Sequence, residues 1–225
     1  MQSRPFQVVF GLSFFSFAAL AIGGCGATDG NSDDVGASGS EVAAQYSQKG
    51  VDYSWARPSP SGIRSAGYTF AARYFSWDNS GSHGKILFAS EANALHAAGV
   101  DIVSNWEYSA DDALDGYNAG VQHATEAQRQ ATAAGMPAGR PIYFSVDFDA
   151  TPGQQGAINS YFDGVASVIG KGRAGAYGGY YVIKRLFDAG KISWGWQTYA
   201  WSGGQWDSRA QLRQVQNGVV VAGGD

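Results

Sequence analysis

Residues 141–149 (PIYFSVDFD) put two carboxylates, Asp147 and Asp149, at the end of an alternating run. On an extended chain Ile142, Phe144, Val146 and Phe148 share one face, while Tyr143, Ser145, Asp147 and Asp149 share the other. An α/β enzyme builds such a surface at the carboxyl end of a parallel strand, apolar toward its helices and polar toward its site. The turn signal Thr151-Pro152-Gly153 follows directly. Two more acids close candidate strands, Asp52 within 50–54 (GVDYS) and Glu107 within 101–107 (DIVSNWE). Hydrolysis of a glycosidic bond needs a carboxylic acid to protonate the leaving oxygen and a carboxylate to act as base, nucleophile or charge stabiliser. Clustered acids suit that task, because mutual repulsion keeps one of them protonated. In this reading Asp147 is base or stabiliser and either Asp149 or Glu107 is the general acid, with Asp52 completing the set.

Aromatic side chains lie beside the acids. Tyr53, Trp106, Tyr177, Tyr180 and Trp201 are candidate stacking faces for sugar rings, and Trp55, Tyr74, Trp77, Tyr108, Trp196 and Tyr199 fall in the same segments. Any single Trp reads better as core or as cover for the barrel mouth, and it is their number beside the acids that points to sugar. Gln214 and Gln216 alternate with Val215, which places amides on a barrel interior for sugar hydroxyls or for a buried polar network.

Other chemistries find less support. His83, His96 and His123 have no metal-ligand spacing with acids or with one another, so they read as surface or helix residues and no metal site is expected. Asp147-x-Asp149 could take a divalent cation, a minor alternative. The glycines at 175, 178 and 179 form no nucleotide fingerprint, and Ser145 lies in no Gly-x-Ser-x-Gly elbow, so no cofactor is expected. With 15 Lys plus Arg against 19 Asp plus Glu and no basic run, the chain lacks the electrostatic footprint of a nucleic-acid binder.

The elements that must position these residues recur as short apolar runs between helical stretches from Gly50 onward, the pattern of βα units around a parallel sheet. Eight strands are expected near 50–54, 69–75, 101–107, 141–149, 173–178, 194–200, 211–216 and at or past 221–225, which predicts a compact (β/α)8 TIM-type barrel cut short in its eighth strand. Helices are expected over 90–98, 111–134, 151–169 and 180–189, ending at Gly99, Gly135, Gly170 and Gly190, with Thr151-Pro152 as cap and first-turn proline. The connection around 201–210 is too short for a full helix. At 225 residues, 44% hydrophobic, the chain can bury one sizeable core.

The first 24 residues differ in composition: Arg4 precedes an uncharged apolar stretch from Phe6 to Ala21 of signal-peptide length. The sole cysteine follows in 22–25 (IGGC), a lipobox-like setting in which Cys25 would be lipidated. Ordinary cleavage nearby is the alternative. Residues 25–48, rich in Gly, Ser, Ala and Asp, read as a flexible linker to a folded domain over 49–225. One cysteine allows no intrachain disulfide, so the domain depends on its core.

Taken as a set, 50–54, 102–108 (IVSNWEY), 142–149, 175–179 (GAYGG) and 194–198 (WGWQT) resemble the glycoside hydrolase-like domain of secreted actinobacterial proteins, over about residues 49–225. That domain is similar to the family 25 lysozymes, barrel enzymes that cut peptidoglycan. The resemblance implies that Asp52 matches their first-strand Asp, Asp147 the first acid of their fourth-strand Asp-x-Glu, and Asp149 its acid catalyst. Here a shorter Asp stands in place of that Glu, drawing the carboxyl back by about 1.5 Å. The expected protein is thus a monomeric, envelope-anchored hydrolase of cell-wall polysaccharide, held to the membrane by lipid at Cys25. A catalytically silent glycan-binding lipoprotein is the alternative.

Overall fold

The computed structural model describes residues 6–11, 48–77 and 84–221. Seven strands run parallel in sequence order: β2 (Gln48–Asp52), β3 (Phe70–Phe75), β4 (Asp101–Trp106), β5 (Ile142–Ser145), β6 (Ala174–Gly178), β7 (Trp194–Thr198) and β8 (Leu212–Val219). The ring closes through β1 (Phe6–Gly11), which pairs antiparallel with both β2 and β8. The barrel architecture and seven of its strands match the sequence reading. The closing place is taken by an N-terminal segment running the other way, and the eighth strand expected at or past 221–225 lies almost wholly outside the described residues.

Alternation along each strand divides the core in two. Phe70, Ala72, Tyr143, Tyr177, Trp196 and Leu212 pack together inside the ring. Ile142, Phe144, Val146, Ala174 and Ala176 face the helix layer, where they meet Tyr161, Phe162, Val165, Val182, Ile183 and Leu186. The expected two faces of 141–149 are therefore present, although hydrogen-bonded strand ends at Ser145.

The helices are α1 (Pro60–Ser65), α2 (Ala89–Ala97), α3 (Gly116–Ala133), α4 (Gln155–Ile169) and α5 (Tyr180–Asp188). A short 3₁₀ turn, Asp112–Asp115, leads into α3, and another, Pro152–Gln154, leads into α4 under the Thr151 capping box. The helix α1 has a short signal of its own, with Ser59 accepting from the Gly62 N–H at 3.0 Å and Pro60 in the first turn. Gly99, Gly135, Gly170 and Gly190 all take the positive φ that stops a helix, where the sequence places the stops. The α3 and α4 helices approach closely because each offers a glycine to the other: a Cβ on Gly120 would lie 2.0 Å from the Tyr161 carbonyl oxygen, and one on Gly164 would lie 2.2 Å from that of Tyr117. No helix among the described residues is long and apolar enough to cross a membrane.

Candidate active site

The parallel strands deliver three of the expected acids to one mouth. Asp52 ends β2, Glu107 is the first residue past β4, and Asp147 lies two past β5. Asp52 is 3% exposed and accepts a 2.8 Å hydrogen bond from the Tyr74 hydroxyl, which points inward from β3. Burial, reinforced by the charges of Glu107 and Asp147, outweighs the Tyr74 bond and the Arg73 charge and pushes the Asp52 carboxyl up to about 7. Glu107 and Asp147 act also on the buried Tyr177 hydroxyl, itself raised chiefly by burial. The barrel mouth thus holds a carboxyl that keeps a proton near neutrality beside two further acids.

A cation missed by the sequence reading joins them. Lys85 Nζ reaches Glu107 Oε1 at 2.6 Å, and both residues are buried. Lys85 sits in the loop before α2, where no periodicity marks it. Its loop is clamped from the opposite side of β3. Arg73, fully buried, donates to the Lys85 carbonyl at 3.2 Å and to Glu91 of α2 at 2.7 and 3.2 Å. Arg57 bonds Glu91 at 3.2 Å and the Ile86 carbonyl at 3.3 Å.

The aromatic residues sort by position relative to the strand ends. Tyr53 turns back to this clamp, its hydroxyl donating to Glu91 at 3.1 Å and its ring lying 4.4 Å from the Arg73 guanidinium carbon. Trp106 is 0% exposed and faces the helix layer. Neither is brought into the mouth, and the parity of Trp106 with Ile102 and Ser104 is the signal that separates it from the inward Asn105. Trp55, Trp77, Tyr108, Tyr199 and Trp201 are exposed, and each follows a strand end by one to three residues. Trp201 takes a left-handed φ of 54°, a strained conformation for a bulky residue. Tyr180, half-buried, opens α5 with its N–H on Ser202 Oγ at 3.0 Å. Gln214 is buried and accepts from Tyr177 at 3.1 Å and from Thr198, so it belongs to an internal network, whereas Gln216 is exposed.

Asp149 is exposed, whereas Asp52 and Glu107 are buried and Asp147 is half-buried. His123, expected at a surface or on a helix, is on α3 but buried. Its Nδ1 lies 2.9 Å from the Tyr161 hydroxyl and 3.9 Å from Asp112, and its ring packs edge-on against Trp77 at 4.8 Å. Burial lowers the His123 imidazole and raises the Asp112 carboxyl. Cys25 and His83 lie outside the described residues. Among the described residues no group of three or more His, Cys, Asp or Glu side chains could hold a metal ion.

Known proteins share the sequence pattern and the fold. The chain is 36% identical over 183 residues to the "Putative peptidoglycan hydrolase Rv2525c" of Mycobacterium tuberculosis, covering 77% of this chain and 76% of that protein. The crystal structure of that Tat-secreted protein in complex with L-tartrate superposes with a TM-score of 0.72 at 35% identity, over 77% of this chain and 89% of the other. The modular autolysin LytC of Streptococcus pneumoniae shares the fold, with a TM-score of 0.53 at 15% identity over 79% of this chain and 44% of that one. The Rv2525c-like, glycoside hydrolase-like domain matches residues 61–225, and the chain belongs to that family.

Proposed function

We propose that this protein is an exported glycoside hydrolase acting on peptidoglycan or a related cell-wall glycan. The observation that carries the reading is the meeting of Asp52, Glu107 and Asp147 at one barrel mouth, with Asp52 retaining a proton near neutrality. Carboxyl groups driven to different protonation states are what acid-assisted cleavage of a glycosidic bond requires. Asp52 serves as proton donor, while Glu107 and Asp147 supply the carboxylates that activate water or stabilise positive charge on the sugar. The exposed ring of Trp55, Trp77, Tyr108, Tyr199 and Trp201 offers stacking faces to pyranose rings. The description of Rv2525c as a peptidoglycan hydrolase supports the substrate class.

Release of reducing ends from purified peptidoglycan tests this directly. Glu107→Gln and Asp147→Asn are expected to cut release by about 10²–10⁴-fold with the fold retained. Release unchanged in both variants overturns the reading. The second reading, a silent glycan-binding protein, is favoured by Asp149 standing where the lysozymes carry Glu. It predicts glycan retained in a pull-down with no release by the wild type.

Export with lipid at Cys25 completes the proposal, and the Tat-secreted relative supports export. Cleavage before Cys25 would remove Phe6–Gly11 and open the ring between β2 and β8. Mass spectrometry of the membrane-extracted protein for a diacylated N-terminal cysteine tests the anchor.

A further inference from the structure

We propose that Lys85 is a positioning residue of the acid cluster: its ammonium fixes Glu107 and compensates its charge, which allows Asp52, Glu107 and Asp147 to share one mouth. The inference rests on the proposed hydrolase reading for its catalytic consequence, but the pairing itself stands on geometry. Lys85 Nζ lies 2.6 Å from Glu107 Oε1, with side chains only 9% and 10% exposed. At that depth an uncompensated carboxylate beside further acids is strongly disfavoured, so the cluster needs a cation. Arg73, whose charge also acts on Asp52, is committed elsewhere. It points to the outer side of β3, where Glu91, the Tyr53 carbonyl and the Lys85 carbonyl take its donors.

The position of the ammonium is prescribed rather than left to a flexible stem. Ile86 bridges to Tyr74, the Leu87 N–H donates to the Tyr74 carbonyl at 2.8 Å, and Arg57 and Arg73 bind the carbonyls of Ile86 and Lys85. Tyr74, which the same loop brackets, is the residue whose hydroxyl binds Asp52. One loop therefore sets the partners of two acids. Inside the mouth the ammonium also lies 5.8 Å from the Tyr74 ring centroid and 5.9 Å from that of Trp55, both within cation–π range. Among the described residues the charge of Glu107 acts on Asp52 from β2, Tyr74 from β3, Asp112 from the turn before α3 and Tyr177 from β6. All become neutral or anionic on titration, so Lys85 is the cation among them.

The test compares wild type with Lys85→Met, Lys85→Arg, Glu107→Gln and the double variant Lys85→Met/Glu107→Gln in the full chain, by thermal melting and by the pH profile of reducing-end release. Methionine keeps the apolar stem and removes only the charge. Lys85→Met should lower Tm by about 5 °C or more, and the double variant should recover most of that loss. The acidic limb of the rate profile should move up by about one pH unit in Lys85→Met and return in Lys85→Arg, because the acids then ionise against one another without a cation. Additive melting shifts, or a Lys85→Met profile that does not move, overturn the proposal. If wild type releases no reducing ends, the hydrolase reading falls, and the melting cycle alone decides whether Lys85 compensates Glu107.

Discussion

The two faces of β3 carry two ionic clusters of opposite design. On the outer face one acid, Glu91, is surrounded by Arg57, Arg73 and the Tyr53 hydroxyl, so every charge there has more than one partner. On the inner face Asp52, Glu107 and Asp147 share a mouth with the ammonium of Lys85, and burial, reinforced by the neighbouring carboxylates, leaves Asp52 holding its proton. Adjacent residues of one strand, Arg73 and Tyr74, serve the two clusters. The outer arrangement is what a structural ion network requires, complete and saturated. The inner one gathers acids of differing burial, one of them strongly shifted, and such perturbed carboxyls are the usual mark of a site that does chemistry.

Breaking the saturated cluster should cost the most. Glu91→Ala would leave Arg73 fully buried without its carboxylate, and urea unfolding is expected to show a loss of about 3–5 kcal/mol. Because the same carboxylate anchors both arginines that hold the Lys85 loop, the damage should reach the mouth.

Much of this molecule is legible in its sequence, and the part that is not has a common cause. Period-two alternation places Tyr143, Ser145 and Asp147 correctly inward, although the strand ends at Ser145, because the Val146 N–H still bonds the Tyr177 carbonyl at 2.9 Å and carries the alternation onward. The helix stops are legible as well, since positive φ leaves few residues but glycine. Long-range partnership leaves no such local signal. Lys85 is one lysine in a loop, Arg73 occupies a strand position that reads as apolar, and Tyr53 looks like a mouth residue until Glu91 arrives from α2. The pairing of Phe6–Gly11 with β2 and β8 leaves no local signal either, because an uncharged apolar run carries the same composition whether it enters a membrane or pairs in a sheet.

The inner cluster should respond in the opposite direction, by gaining stability. Folded Asp52 keeps its proton to about pH 7, whereas in the unfolded chain it ionises near 4. Between those values the native state binds the extra proton, so this carboxyl weakens the fold as pH rises through that window and imposes its full penalty above it. Asp52→Asn removes the penalty and keeps an acceptor for Tyr74. The variant should match wild type near pH 4 and exceed it by up to about 4 kcal/mol at pH 8, while losing glycan release. A variant that is less stable at both pH values would show that the inner cluster is as saturated as the outer one.

A smaller effect is expected from the aromatic rim. Trp77 packs edge-on against Trp106, Tyr108 and His123 at 5.2, 5.4 and 4.8 Å while remaining 41% exposed, so it is held in place just past the end of β3. Trp77→Ala should weaken glycan retention by about tenfold, against a negligible loss for an equally exposed aromatic away from the strand ends, such as Tyr117 at 46%.

The least effect should come from Asp149, although it sits two residues from Asp147 on the same run. The strand has already ended at Ser145, and the chain carries Asp147 partly inside the mouth but leaves Asp149 in solvent. An exposed carboxyl contributes little to the fold, and Asp149 lies farther along the run than the acid that reaches the mouth. Asp149→Asn should therefore change reducing-end release by no more than about threefold and leave the melting temperature where it was, while Asp147→Asn removes most of the activity. If instead Asp149→Asn silences the enzyme with Asp147→Asn unharmed, substrate must draw the rim acid inward, and the proton donor is the residue at the lysozyme position after all.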